Sequence, residues 1–225
     1  MRPVDKGKSP RVYTDYGKAR HDLAQRIGYY CSYCEMKVLN CIEVEHILPQ
    51  NQGGEPLQWS NFLLSCKYCN TVKSDHNQNV TDYLWPDIDN TDLAFTYSEE
   101  NAVEPHPDTA ENVQYLAQNS IELMGLDRYP GGPHRPTPSD TRWISRKEAW
   151  DVARKEYTDW LEAPIIQMAR SIARVSLNGH YSIWIEIFKD VPLVLNEIDD
   201  IYREYGLYKK FDTNGNRTVR RGANL

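Results

Sequence analysis

Two residues separate Cys31 from Cys34, and two separate Cys66 from Cys69. Four thiols in two C-x-x-C pairs constrain the fold more than any other feature of the chain. Each pair offers two sulfurs from one tight turn, and zinc closes its shell with four ligands in a tetrahedron, so the two turns have to meet in space. The fifth cysteine, Cys41, makes the count odd, which argues against a disulfide framework and for thiolate ligands in a reducing compartment. Cys41 itself is expected to be a small buried hydrophobe.

Composition sets the outer limits. With 225 residues, 40% of them hydrophobic, the chain is long enough for one substantial core or for a small motif domain with a partner of similar size. No uninterrupted apolar run reaches the roughly 20 residues of a membrane helix, and the opening MRPVDKGKSPRVY has no apolar signal-peptide core. The expectation is a soluble, cytoplasmic protein. A formal net charge of -6 lacks the basic excess that phosphate contacts normally require. If the chain handles nucleic acid, either a local patch or a partner supplies the grip.

Periodicity divides the chain into zones and predicts an α+β protein. Thr14 to Tyr30 reads as an amphipathic helix with Ala19, Leu23 and Ile27 at helical spacing, leading into the first cysteine pair. The cysteine-rich segment runs from about Cys31 to His76, followed by irregular structure with short strands. From Asp108 the pattern turns helical. Asp108 with Glu111 predicts a capping box opening a helix to about Gly125, and further helices are predicted at 140–161, 164–177 and 192–205 around the connecting loop RYPGGPHRPTPSD. On this reading residues 1–95 hold the cysteine-rich domain with its leading helix, and residues 96–225 a mainly helical half with a basic tail.

Between and after the cysteine pairs stands EVEHILPQNQGGEPLQWSNFLLSCKYCNTVK, in the order acidic-His, Pro, Gly-Gly, Asn, then C-x-x-C-Asn-x-x-Lys. From Cys31 to Lys73 this resembles the HNH endonuclease family, whose ββα-metal motif has these residues in this order. The resemblance implies His46 as general base, Asn61 as the asparagine that holds the hairpin loop in shape, and Asn70 as a ligand of a catalytic metal. Glu45 occupies the place where the family usually has a metal-binding aspartate, one methylene shorter. These roles suit phosphodiester hydrolysis. It needs a base for the attacking water and positive charge at the leaving oxygen; histidine titrates near neutral pH, and the oxygens of Glu45 and Asn70 suit magnesium or manganese while the thiolates suit structural zinc. Lys73 is either a phosphate contact or a solvated helix lysine, and Glu43 either supports the metal site or faces solvent.

Small HNH domains followed by a helical half also resemble the HNH nuclease subunits of Septu-type and retron-associated anti-phage systems. That resemblance implies a separate regulatory ATPase that docks on the helical half. The expected function is therefore hydrolysis of DNA within such a complex. Two alternatives stay open: an RNA-cleaving (for example tRNA-cleaving) nuclease, and a non-catalytic zinc-stabilised adaptor. His21, His76, His106, His134 and His180 are expected at the surface, and Tyr181, Trp184, Ile185 and Phe188 in a helical core. The tail residues Lys209, Lys210, Arg217, Arg220 and Arg221 are expected to be an electrostatic handle for nucleic acid or a flexible end.

Overall fold

Ala19, Leu23 and Ile27 line the buried face of helix α1 (Ala19–Ile27), each no more than 1% exposed. Their burial anchors the first element, at about 1.5–3 kcal/mol for a fully buried Leu or Ile side chain. This computed structural model describes residues 1–100, 102–214, 217–220 and 222–225. Arg221 of the basic tail therefore lies outside the described residues.

After α1, a knuckle around Cys31–Cys34 leads to strand β1 (Glu43–His46), which pairs antiparallel with β2 (Phe62–Ser65) in the register Glu43 to Ser65 and His46 to Phe62. Helix α2 (Lys67–Lys73) follows at once, completing a ββα unit. The chain N-terminal to α1 wraps this hairpin. The Lys6 ammonium, itself buried, donates to the carbonyls of Ser60 and Phe62 and pairs with Asp87, while Trp59 Nε1 donates to the Gly7 carbonyl and the Tyr13 ring stacks on Trp59.

A second small hairpin, β3 (Phe95–Tyr97) with β4 (Val103–Pro105), carries the chain to α3 (Glu111–Met124). The expected capping box does not form. Thr109 N and Oγ1 both donate to the His106 carbonyl, closing a turn that makes Ala110 the N-cap, and the Gln114 side chain donates instead to the carbonyls of Pro107 and Thr109. Helices α4 (Arg142–Glu162), α5 (Ile166–Ser176) and α7 (Pro192–Arg203) lie close to the predicted spans, and α6 (Tyr181–Ile187) forms in the aromatic stretch expected as helical core. No helix among the described residues is long and apolar enough to cross a membrane.

Two hydrophobic clusters result. One gathers residues from Met1 to Leu126 together with Ile183, and the other joins Tyr30 to α4 to α7, with Tyr181, Trp184 and Phe188 inside it as expected and Ile185 packed at its edge. The helices are fastened to the cysteine knuckle by named bonds. His180 N donates to the Glu35 carbonyl, Ser182 N and Oγ donate to the buried Glu35 carboxylate at 2.9 and 2.6 Å, and the Tyr30 hydroxyl donates to the Leu177 carbonyl.

Three expectations need correction. Cys41 is exposed, because it sits in the turn before β1 with a φ of 62° that points it away from the core. His180 is buried at 3% exposure against Ser145, whose Oγ lies 2.8 Å from its Nε2. The basic tail is folded back rather than free. Lys209 and Arg217 pair with Asp199 and Asp92, and Arg220 donates to the Val4 and Pro86 carbonyls with its guanidinium over the Tyr208 ring.

Burial pushes the His180 imidazole down to about 4 from 6.5. The unfolded chain therefore takes up this proton first, and stability is lost as pH falls through that window, by up to about 3 kcal/mol. Asparagine accepts the left-handed backbone of His180, at a φ of 57°. Urea unfolding of His180→Asn at pH 7 and pH 4.5 is expected to show a smaller acid loss than the wild type; an identical loss would exclude His180 as a source.

Candidate active site and metal centre

The thiols meet as their spacing demands. Cys31 and Cys34 come from the knuckle, Cys66 is the N-cap of α2, and Cys69 lies in its first turn; all four are buried. A tetrahedron of zinc–sulfur bonds of about 2.3 Å has sulfur–sulfur edges of roughly 3.8 Å. Here Cys34 Sγ and Cys66 Sγ are 3.7 Å apart, and the four sulfurs all lie within 4.8 Å of one another. The neighbouring sulfurs hold the Cys34 thiol well above its usual range, and burial does the same for Cys69. Crowded buried sulfurs of this kind suit a soft-tolerant divalent cation that takes them as thiolates, and zinc fits the donor set. Two donors steady the sulfurs: Cys69 N approaches Cys66 Sγ at 3.3 Å, and the buried Arg142 guanidinium approaches Cys69 Sγ at 3.2 Å. Arg142 also binds the Met124 and Gly125 carbonyls and Asp140, so the metal site is wired into α3 and α4.

The loop between β1 and β2 is shaped by Asn61. Its Oδ1 accepts from Leu48 N at 2.8 Å, and its Nδ2 donates to the carbonyls of Leu48 and Glu55 at 3.0 Å each. Gly54 fits because a Cβ there would lie 1.9 Å from the Leu48 carbonyl oxygen. The close approach leaves no room for any side chain.

His46 ends β1 half-buried at the mouth of this loop. Its ring is held edge-on between Tyr16 and Phe62, and its Nε2 lies 3.0 Å from the Pro56 carbonyl, with the Gln50 side-chain amide 3.3 Å from the same nitrogen. The Pro56 carbonyl can only accept and the Gln50 amide nitrogen can only donate, so the two contacts call for opposite states of Nε2; the shorter one, to Pro56, places the proton on Nε2 and the lone pair on Nδ1 in the neutral ring, with the Gln50 amide turned away. Among the described residues Nδ1 makes no hydrogen bond.

Glu43 and Glu45 lie on the face of β1 that packs against α2, opposite the face of His46, as strand alternation requires. Their environments differ sharply. Glu45 is 2% exposed; its Oε1 is 2.5 Å from Lys73 Nζ, and its Oε2 accepts from the Tyr33 hydroxyl. Burial raises its carboxyl to about 7, against the opposing pull of the Lys73 ammonium and the Tyr33 hydroxyl. Lys73 is only 1% exposed and also donates to the His46 carbonyl at 2.7 Å. It is therefore not a solvated helix lysine, and its ammonium is committed to the strand end that carries His46. Removing one partner of such a sealed pair costs about 3–5 kcal/mol. One helical turn back, Asn70 Nδ2 donates to Glu43 Oε2 at 2.6 Å, and the exposed Lys67 sits 3.3 Å from Glu43 Oε1. Asn70 Oδ1 makes no hydrogen bond among the described residues.

Of the residues singled out in the sequence, His46, Asn61, Asn70, Glu45, Lys73, Cys66 and Cys69 lie in the ββα unit, and Cys31 and Cys34 lie in the knuckle that precedes it. The contacts of Tyr33, inside the first C-x-x-C, and of Tyr16, ahead of it, were not foreseen, because only packing reveals them. His76 lies at the surface, where Nδ1 meets the Val72 carbonyl. With this geometry in place, residues 31–76 match the family model described as HNH endonuclease. No curated protein matches the chain.

Two outcomes follow from the site. Stripping the metal with a strong chelator, or Cys69→Ser, is expected to abolish cooperative unfolding followed by far-UV circular dichroism, because α3 and α4 lose their anchor along with the knuckle. Asn61→Ala is expected to lower stability by about 2–3 kcal/mol in urea titration, the sum of its loop hydrogen bonds; an unchanged midpoint would show that the loop holds itself.

Proposed function

We propose that this protein is a metal-dependent endonuclease that hydrolyses phosphodiester bonds, with His46 as general base. The observation that carries the reading is the orientation of His46. The Pro56 carbonyl holds Nε2, which leaves the Nδ1 lone pair to receive a proton from water, and the rings of Tyr16 and Phe62 restrict the imidazole to that pose. The match of residues 31–76 to the HNH endonuclease family supports the same chemistry.

In this mechanism His46 Nδ1 deprotonates a water aligned with the phosphorus, and the imidazolium formed is stabilised through Nε2–H to Pro56. Asn61 keeps the loop, and so the Pro56 carbonyl, in place by binding Leu48 and Glu55. Lys73 fixes the end of β1 through the His46 carbonyl. Magnesium or manganese, when bound, would supply positive charge for the leaving oxygen. Asn70 Oδ1 and a carboxylate of β1 are the oxygen donors available to hold it.

DNA is the substrate in this reading, with RNA the second choice, since the site has nothing that reads a 2′-hydroxyl. The net charge of -6 disfavours unaided binding of a polyanion, and in the folded-back tail Lys209, Arg217 and Arg220 are committed to internal partners. A partner therefore supplies grip, and the resemblance to Septu-type nuclease subunits makes a regulatory ATPase docked on the helical half the partner to test, in an anti-phage setting. The adaptor alternative lacks a reason to orient His46 in this way.

His46→Ala is expected to lower cleavage of plasmid or RNA by about 10²–10⁴-fold with magnesium or manganese, while zinc content and melting temperature stay unchanged. The assay is run with and without the co-expressed ATPase. Equal activity in both proteins, or no cleavage by the wild type in any arm, would favour the adaptor.

A further inference from the structure

The position next to His46 that the HNH resemblance assigns to the catalytic metal holds Glu45, and its surroundings do not fit that role. One carboxylate oxygen is taken by the Lys73 ammonium and the other by the Tyr33 hydroxyl, and the side chain is sealed at 2% exposure. A cation taken up there has to displace a buried ammonium that has no water to go to. Breaking a buried pair of this kind lowers apparent metal affinity by roughly two to four orders of magnitude.

The same face of the strand offers another carboxylate. Glu43 stands two residues earlier and so points the same way, its side chain is 27% exposed, and it already touches Asn70. Its competing cation is Lys67, whose side chain is 76% exposed and at 3.3 Å, so it can leave for water at little cost. Rotating the Asn70 amide, whose Oδ1 makes no hydrogen bond among the described residues, presents an oxygen beside the Glu43 carboxylate. One anionic and one neutral oxygen suit a hard divalent ion, which keeps much of its hydration and takes few protein ligands.

We infer that Glu43 and Asn70 hold a divalent cation, and that Glu45 with Lys73 and Tyr33 is a buried clamp that fixes the strand carrying His46. This rests on the nuclease reading for the cation's role but not for its binding. Glu43 is then a metal ligand and Glu45 a positioning residue.

The test is Mn²⁺ binding to the zinc-loaded full chain, read by the electron paramagnetic resonance signal of free Mn²⁺, together with melting temperature and plasmid cleavage on the same samples. Glu43→Gln and Asn70→Ala are expected to weaken Mn²⁺ binding at least tenfold with the melting temperature unchanged. Glu45→Gln is expected to lower the melting temperature while the folded protein binds Mn²⁺ within about threefold of wild type. Should Glu45→Gln not fold, the double variant Glu45→Met with Lys73→Met replaces the clamp by apolar packing and is expected to bind Mn²⁺ like the wild type. Loss of Mn²⁺ binding in the Glu45 variants with binding retained in Glu43→Gln, or no Mn²⁺ binding by the wild type, would overturn the inference. Mn²⁺ bound through Glu43 without cleavage of any substrate would leave the inference standing and defeat the nuclease reading instead.

Discussion

Four buried sulfurs within 4.8 Å of one another are an unstable arrangement unless a cation binds them, and the rest of the molecule is arranged around that requirement. The knuckle that carries Cys31 and Cys34 also carries Tyr33 and Glu35. One reaches the strand that ends in His46, and the other reaches the start of α6. On the opposite side, Cys69 receives Arg142, which gathers the C-terminal end of α3 and the start of α4. The metal centre is thus the junction at which the ββα unit and the helices share a boundary. A ββα unit of this size buries too little apolar surface to be stable alone, so a metal and a helical buttress both make physical sense.

The candidate active site depends on strand alternation. Successive side chains of β1 face opposite ways, so Glu45 turns inward against α2 while His46 turns outward to the loop. The inward face is where a carboxylate and an ammonium can be sealed together, and their pairing holds the backbone of the last strand residue through the His46 carbonyl. The outward face is where an imidazole can be oriented by a backbone carbonyl without losing access to water. Strand rigidity and the proposed proton transfer fall on adjacent residues because the pleat separates them.

Electrostatics shapes the surface by subtraction. Lys73, Arg217 and Arg220, each a reasonable phosphate contact when read in the chain, are spent on Glu45, Asp92 and the carbonyls of Val4 and Pro86. Ion pairs at the edge of a core cost side-chain freedom and desolvation, and here they close the C-terminal segment onto the N-terminal one. The chain as a whole carries a formal charge of -6.

Much of this architecture was legible in the residues themselves. The two C-x-x-C pairs required a shared metal site, the period of Ala19, Leu23 and Ile27 required a helix, and the order of His46, Asn61 and Asn70 placed all three in one hairpin-helix unit. Each of these is a local rule of spacing, which a sequence carries directly. Tertiary structure alone decided the rest. Whether Glu43 or Glu45 stays reachable, whether Lys73 meets water, and whether His180 and the basic tail are exposed all depend on which distant segment covers them. Burial is a property of the packed chain, and two glutamates two residues apart are chemically identical until a lysine from the next helix seals one of them.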